Sequence, residues 1–195
     1  PEQELLVKTA LLPEFTLDMA SATAGRNTND IQATLNSLGE KGYSTSGEHR
    51  GKSVFEYHDT HRESLEMILK KKYEQDVYEI HRLSGQQLFK EHLHFEYASD
   101  LLIKIEAWKD LENILIHQGV AQYLFNQNLH ELLLRILNAF PIERIKKQPQ
   151  LLFWRGMAQL PLNPNNSHDD FESAFEIFFS EKQLVLALSA ITWGI

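Results

Sequence analysis

Hydrophobic spacing changes character twice in this chain, and both changes fall between Gly42 and Asp59. Before Gly42 the apolar residues recur at helical intervals, as in Ile31, Leu35 and Leu38. From Tyr43 to Ser46 and from Ser53 to Tyr57 the pattern reads as two strands around Gly47-Glu48-His49-Arg50-Gly51, the signature of a β-hairpin. From Asp59 to the end the spacing is helical again. A chain with one isolated hairpin cannot build a large sheet, so the fold is expected to be mainly α.

The first part divides into three short helices. Glu4 to Leu12 has helical spacing and is ended by Pro13; Thr16 to Ala24 is stopped by Gly25. Asn27-Thr28-Asn29-Asp30 offers several N-caps for a third helix, with Gly42 as its stop. Three short helices followed by a hairpin is the plan of a winged helix, placed at residues 1–62.

Residues 63–195 read as a helical arm. Asp59 or Thr60 is expected to cap a helix carrying Leu65, Ile68, Leu69, Val77 and Ile80 on one side. Further helical segments follow at Phe95–Ala107, Lys109–His117, Leu129–Asn138, Leu151–Leu160, Asp169–Phe179 and from Lys182 onward, punctuated by Gly119, Pro141, Pro149 and Pro161-Leu162-Asn163-Pro164. Short paired helices suggest a tetratricopeptide-like (TPR-like) α-helical solenoid. Ser84-Gly85, Leu88, Ala98 and Leu102 form one imperfect unit, and Gly156, Phe171, Ala174 and Phe178 another.

Composition excludes several functions. No cysteine is present, so neither a disulfide framework nor a thiolate metal site is available. No apolar run approaches the ~18 residues of a membrane span, and Pro1-Glu2-Gln3-Glu4 does not open a signal peptide. These features favour a cytoplasmic location; the isolated sequon Asn165-Asn166-Ser167 does not change that. The missing initiator Met and the apolar run at Trp193-Gly194-Ile195 suggest a piece of a longer polypeptide, truncated at its C-terminus. A net charge of -8 argues against wrapping nucleic acid.

Motifs with chemical potential each meet a plainer explanation. Gly51-Lys52-Ser53 resembles the end of a phosphate-binding loop, but Gly47 stands one position too close and the context is a hairpin, not a strand leading into a helix. His92 and His94 point to different sides of any helix; His58 and His61 share a face but lack an obvious third ligand, so no metal site is expected. No nucleophile has a catalytic setting, so an enzyme is not expected. The Lys70-Lys71-Lys72 run reads as a solvated helix face. The candidate recognition helix, Thr28 to Lys41, sets Asp30 and Glu40 against Lys41, and the wing offers only His49, Arg50 and Lys52. That balance suits a packing module better than a DNA-reading head.

The order of these features resembles the bacterial STAND regulators, large ATP-dependent transcription activators of the maltose-activator and LuxR-like kind. Leu5-Leu6-Val7-Lys8-Thr9-Ala10-Leu11-Leu12 resembles the opening helix of their winged domain. Phe55 to Leu65, through Tyr57-His58-Asp59, resembles the segment leading into their helical arm. Ile80-His81-Arg82-Leu83 with Glu96-Tyr97-Ala98 resembles a first helical repeat. Leu133 to Pro141 and Gln148 to Leu152 resemble a later one.

Related nucleotide switches carry Met-His-Asp at the end of the winged helix, where the histidine contacts the β-phosphate of ADP. The resemblance therefore implies that His58 senses nucleotide phosphate in the full-length protein; the plain alternative is packing at the domain junction. It also implies an adjacent ATP/ADP-binding module in the same chain, with no cofactor held by this segment. An inducer or protein partner is expected on the helical arm. A generic helical-repeat scaffold is the first alternative, and a winged-helix DNA-binding regulator the second.

Overall fold

The computed structural model describes residues 2–49 and 51–194. Among the described residues the protein is mainly α, with thirteen α-helices and one two-stranded antiparallel hairpin. The chain forms two compact units, Pro1–Ala107 and Trp108–Ile195. Their boundary lies downstream of the 62/63 division expected from sequence.

In the first unit, α1 (Glu2–Lys8), α2 (Leu17–Ala24) and α3 (Thr28–Glu40) precede β1 (Ser44–His49) and β2 (Lys52–Tyr57). Local chemistry sets the ends of α2 and α3. Thr16 caps α2 by accepting from the Met19 amide, and Gly25 closes it in the left-handed region at φ 68°. Asn27 caps α3 by accepting from the Asp30 amide. α1 is shorter than the expected Glu4–Leu12. The residue before a proline is driven out of the α region, and the chain leaves the helix through tight turns, Ala10 N–H to Val7 O and Leu12 N–H to Thr9 O.

The hairpin is tighter than expected. Gly47 pairs with Val54, Glu48 with Ser53 and His49 with Lys52, so Gly47 to His49 belong to the strand. Gly51, at φ 76°, lies in the reversal, and Arg50 of the expected turn is outside the described residues. The loop before α2 adds a third segment to this hairpin: Phe15 and Phe55 exchange both backbone bonds, at 2.9 and 2.8 Å. Leu5, Leu12, Phe15, Met19, Ile31, Leu35 and Leu38 form a fully buried core beneath the hairpin's Val54, Phe55 and Tyr57.

The long helix expected from Asp59 through Ile80 is two helices. α4 (Asp59–Lys72) ends at Tyr73, a 3-10 turn spans Glu74–Asp76, and α5 (Val77–Lys90) begins a new axis. The apolar stripe explains the break. Leu65 and Leu69 are buried, but no aliphatic residue follows until Val77. Lys70, Lys71 and Lys72 are exposed in the last turn of α4, where cations complement the helix dipole.

α5 packs against α2 and also against α6 (Phe95–Lys104), which ties the first helical pair into the same unit as the hairpin. α5 and α6 meet closely at Gly85. A methyl group there would lie 2.8 Å from Leu102 Cγ and 3.1 Å from the Ala98 carbonyl oxygen, so only glycine allows this approach. His81 is buried on α5, and burial lowers its affinity for a proton below that of an ordinary histidine. In the neutral ring Nδ1 carries the proton and donates to the Val77 carbonyl at 2.8 Å.

In the second unit, α7 (Trp108–Glu112) runs directly into a π-helical turn, Asn113–His117. α8 (Val120–Asn126), α9 (His130–Ala139), α10 (Ile142–Ile145), α11 (Pro149–Gln159), α12 (Pro164–Ser180) and α13 (Leu184–Gly194) follow. α8 and α10 have no counterpart among the helices expected from sequence. Pro164, expected in a loop, opens α12, a helix five residues longer at its start than the Asp169–Phe179 expected. α11 packs on α9 and α12, and α12 packs on α13. At Gly156 an added methyl would lie 2.9 Å from the Phe171 ring, a second close helix crossing like that at Gly85.

Candidate functional site

The strand-to-helix junction at Tyr57-His58-Asp59 carries the strongest functional suggestion in the sequence. The three side chains do different work. Tyr57 is buried, its ring 5.2 Å from Phe15. Its hydroxyl lies 2.7 Å from Thr9 Oγ1, which itself donates to the Leu5 carbonyl at 2.8 Å. A threonine hydroxyl has a single proton, so Tyr57 is the donor to Thr9. Burial pushes the phenol far above its ordinary pKa and keeps it protonated in this role. Tyr57 is thus an anchor that fixes the end of β2 to α1.

His58, by contrast, is exposed. It occupies the N-cap position of α4, where its carbonyl accepts from the His61 and Arg62 amides. Neither Asp59 nor Thr60 caps this helix, as the sequence reading had expected. Asp59 is the first helical residue, its carboxylate 3.3 Å from Arg62 Nη2, and the His58 side chain makes no cap bond. An uncapped helix start presents free N–H groups and the positive end of the dipole.

Around this opening stand His58, His61 and Arg62. The His58 and His61 rings are 6.0 Å apart, and His61 meets the edge of Tyr43 at 4.9 Å. The Nδ1 atom of His61 is buried without a hydrogen-bond partner. Histidine and arginine at a helix N-terminus are the donors that phosphate oxygens accept from. Asp59 opposes this partly, and its pairing with Arg62 reduces the opposition.

A second polar cluster joins the hairpin tip to the turn between α5 and α6. Lys52 Nζ is 2.6 Å from Glu91 Oε2, and this bond raises the lysine pKa. Glu14 lies between two histidines, 3.6 Å from His49 Nδ1 and 3.7 Å from His94 Nε2. Gly51-Lys52-Ser53 is therefore hairpin, and its lysine is engaged by a carboxylate. His92 and His94 lie in this turn, both at positive φ. The cleft beside them holds about 190 Å³, below the ~300 Å³ at which small-molecule pockets begin. Glu14 and Glu91 had no local signal in the sequence, because their partners lie tens of residues away.

In the second unit Asp170 is buried and receives both Arg155 Nε, at 2.7 Å, and Arg155 Nη2, at 2.5 Å; Gln159 Nε2 adds a third bond at 3.1 Å. This pair was missed as well, although Ser167, Asp170, Ala174 and Phe178 share one helical spacing that flags the aspartate as inward-facing. Among the described residues no group of three or more His, Asp or Glu is placed to hold a metal ion. No described helix is long and apolar enough to cross a membrane. No protein-family model, curated protein or solved structure matches this chain.

Proposed function

We propose that this chain is a non-catalytic, signal-transmitting segment of a cytoplasmic STAND-type regulator, in which α1 to β2 form a winged helix and the later helices a TPR-like arm. The observation that carries this reading is the contrast within three residues. Tyr57 is locked into the core, while His58 stands exposed at the uncapped start of α4. A phosphate contact at His58 would act on a helix whose preceding strand is rigidly anchored. Movement would then be directed into α4 and onward to the arm.

Other features support the same reading. The Phe15–Phe55 bridge gives the hairpin the extra short strand that a winged helix places between its first two helices. The close crossings at Gly85 and Gly156 supply the small-residue contacts by which TPR-like helix pairs pack. In this reading the nucleotide belongs to an adjacent module of the same polypeptide, and an inducer or protein partner binds the arm. The segment itself holds no cofactor and contacts no operator.

The test is ADP release from the full-length regulator that contains this segment. His58→Ala is expected to speed ADP dissociation roughly tenfold, the equivalent of one charge-assisted hydrogen bond to phosphate. Stopped-flow release of a fluorescent ADP analogue measures it. An unchanged rate with intact folding would reduce the segment to a helical interaction scaffold. Salt-dependent DNA affinity of the segment alone would favour the DNA-binding alternative.

A further inference from the structure

β1 is an open sheet edge with unpaired backbone groups. In antiparallel pairing each residue points its N–H and C=O to one side of the strand, and the side alternates along the chain. Phe55 gives both groups to Phe15, so its neighbours Val54 and Glu56 give theirs to β1. Gly47 and Thr45, their partners, are thereby satisfied, and the backbone groups of Ser46 and Glu48 point out of the sheet. Thr45 to Glu48 are all exposed, and among the described residues no backbone group pairs with this side of β1.

Proteins ordinarily protect such an edge with a proline, a lysine, a bulge or a covering element. β1 has none of these: it keeps an unbroken register over six residues and carries neither proline nor lysine. A free edge of this kind accepts an added strand, whose main-chain bonds supply affinity and whose alternate side chains supply selectivity.

The surroundings define what that strand carries. Thr45, Gly47, Val54 and Glu56 share one face of the ribbon and, with Glu14, line a recess of about 230 Å³. That is below the ~300 Å³ of a small-molecule pocket and suits a single long side chain. Gly47 has no side chain to fill it. Glu14 and Glu56 stand in its wall with Glu48 beside them, and among the described residues no lysine or arginine reaches any of the three. Lys52, on the same ribbon, is held by Glu91 at 2.6 Å. A second copy pairing through β1 would set these carboxylates against their own kind, which is unfavourable across strands.

We propose that the outer edge of β1 docks an extended, basic segment of a partner protein, added as a further strand with a lysine or arginine in the recess over Gly47. Ser46 and Glu48 bond its backbone, and Glu14 and Glu56 receive its cation. The site needs no nucleotide at His58.

A short fluorescent peptide of alternating lysine and valine is the probe, because alternation puts every lysine on one face of a strand. Anisotropy titration with the 195-residue chain is expected to show saturable binding, with slowed amide exchange at Ser46 and Glu48. Ser46→Pro removes only an outward N–H, which an edge strand tolerates, and is expected to weaken binding roughly tenfold with unchanged circular dichroism. Gly47→Val is expected to do the same by filling the recess; a β-carbon there meets Val54 Cγ2 at an ordinary 3.8 Å, so the strand accepts a side chain. The same probe with N-methylated valines keeps its charge but cannot pair as a strand, and is expected not to bind. Equal binding of the N-methylated probe, or of the original probe by Ser46→Pro, would reduce the site to a charge contact and overturn the proposal. So would no binding to the unmodified chain. Protection of Ser46 and Glu48 that grows with the concentration of the chain alone would make a second copy the occupant, and would overturn it as well.

Discussion

Arg155→Ala is expected to destabilise the second unit by about 3–5 kcal/mol, the usual cost of removing one partner from a buried ion pair. Asp170 is only 5% exposed, and Arg155 supplies two of the three hydrogen bonds it receives. After the substitution Gln159 alone remains, and a carboxylate stays between α11 and α12 without its counter-charge. Urea unfolding followed by tryptophan fluorescence measures the effect, because Trp108, Trp154 and Trp193 all lie in this unit. The double variant Arg155→Ala/Asp170→Ala is expected to recover part of the loss, since it removes the orphaned charge. A single variant within about 1 kcal/mol of the wild type would mean that the pair acts as an exposed surface bridge.

Phe15→Ala is expected to cost the first unit a similar ~3–5 kcal/mol. The side chain is fully buried, 6.2 Å from the Phe55 ring and 5.2 Å from that of Tyr57. Its removal leaves a cavity where the loop before α2 joins the hairpin. The backbone bridge to Phe55 survives chemically but loses the packing that holds it in place. Amide exchange at Phe15 and Phe55 is expected to quicken along with the fall in stability. Slow exchange at both positions with full stability would contradict the assignment of this bridge as the hairpin's anchor.

How much of this was legible in the sequence follows from how local each determinant is. The ends of α2 and α3 could be read because Thr16, Gly25 and Asn27 act on backbone groups a few residues away. The hairpin was legible from its change of period, but its register was not. Three residues assigned to the turn are paired, and only long-range packing of Val54 and Phe55 distinguishes the two arrangements. The break at Tyr73 lacks a glycine or proline, and its signal is the lapse of aliphatic residues over about two helical turns, Lys70 to Asp76. Gly119 was read as a stop, yet at φ 74° it also starts α8, a seven-residue helix too short to show a clear period.

The strand-to-helix junction was legible in part. The place where strand gives way to helix could be located at Tyr57-His58-Asp59, and the structure puts the helix start there. The division of labour could not be read, because Tyr57's partner Thr9 is 48 residues away. Asp59 or Thr60 was the expected cap, but His58 occupies the cap position and its side chain makes no cap bond. The Glu14 cluster with His49 and His94 was invisible for the same reason as Thr9: three separate segments contribute to it.

The central claim is that the opening of α4 receives a nucleotide phosphate. Hydrogen–deuterium exchange of residues 58–62 in the full-length regulator, ADP-loaded against nucleotide-free, tests it most directly. If the claim holds, the amides of Asp59 and Thr60 exchange at least tenfold more slowly with ADP bound, and His58→Ala removes most of that difference. Equal exchange in the two states, with ADP demonstrably bound, would contradict it.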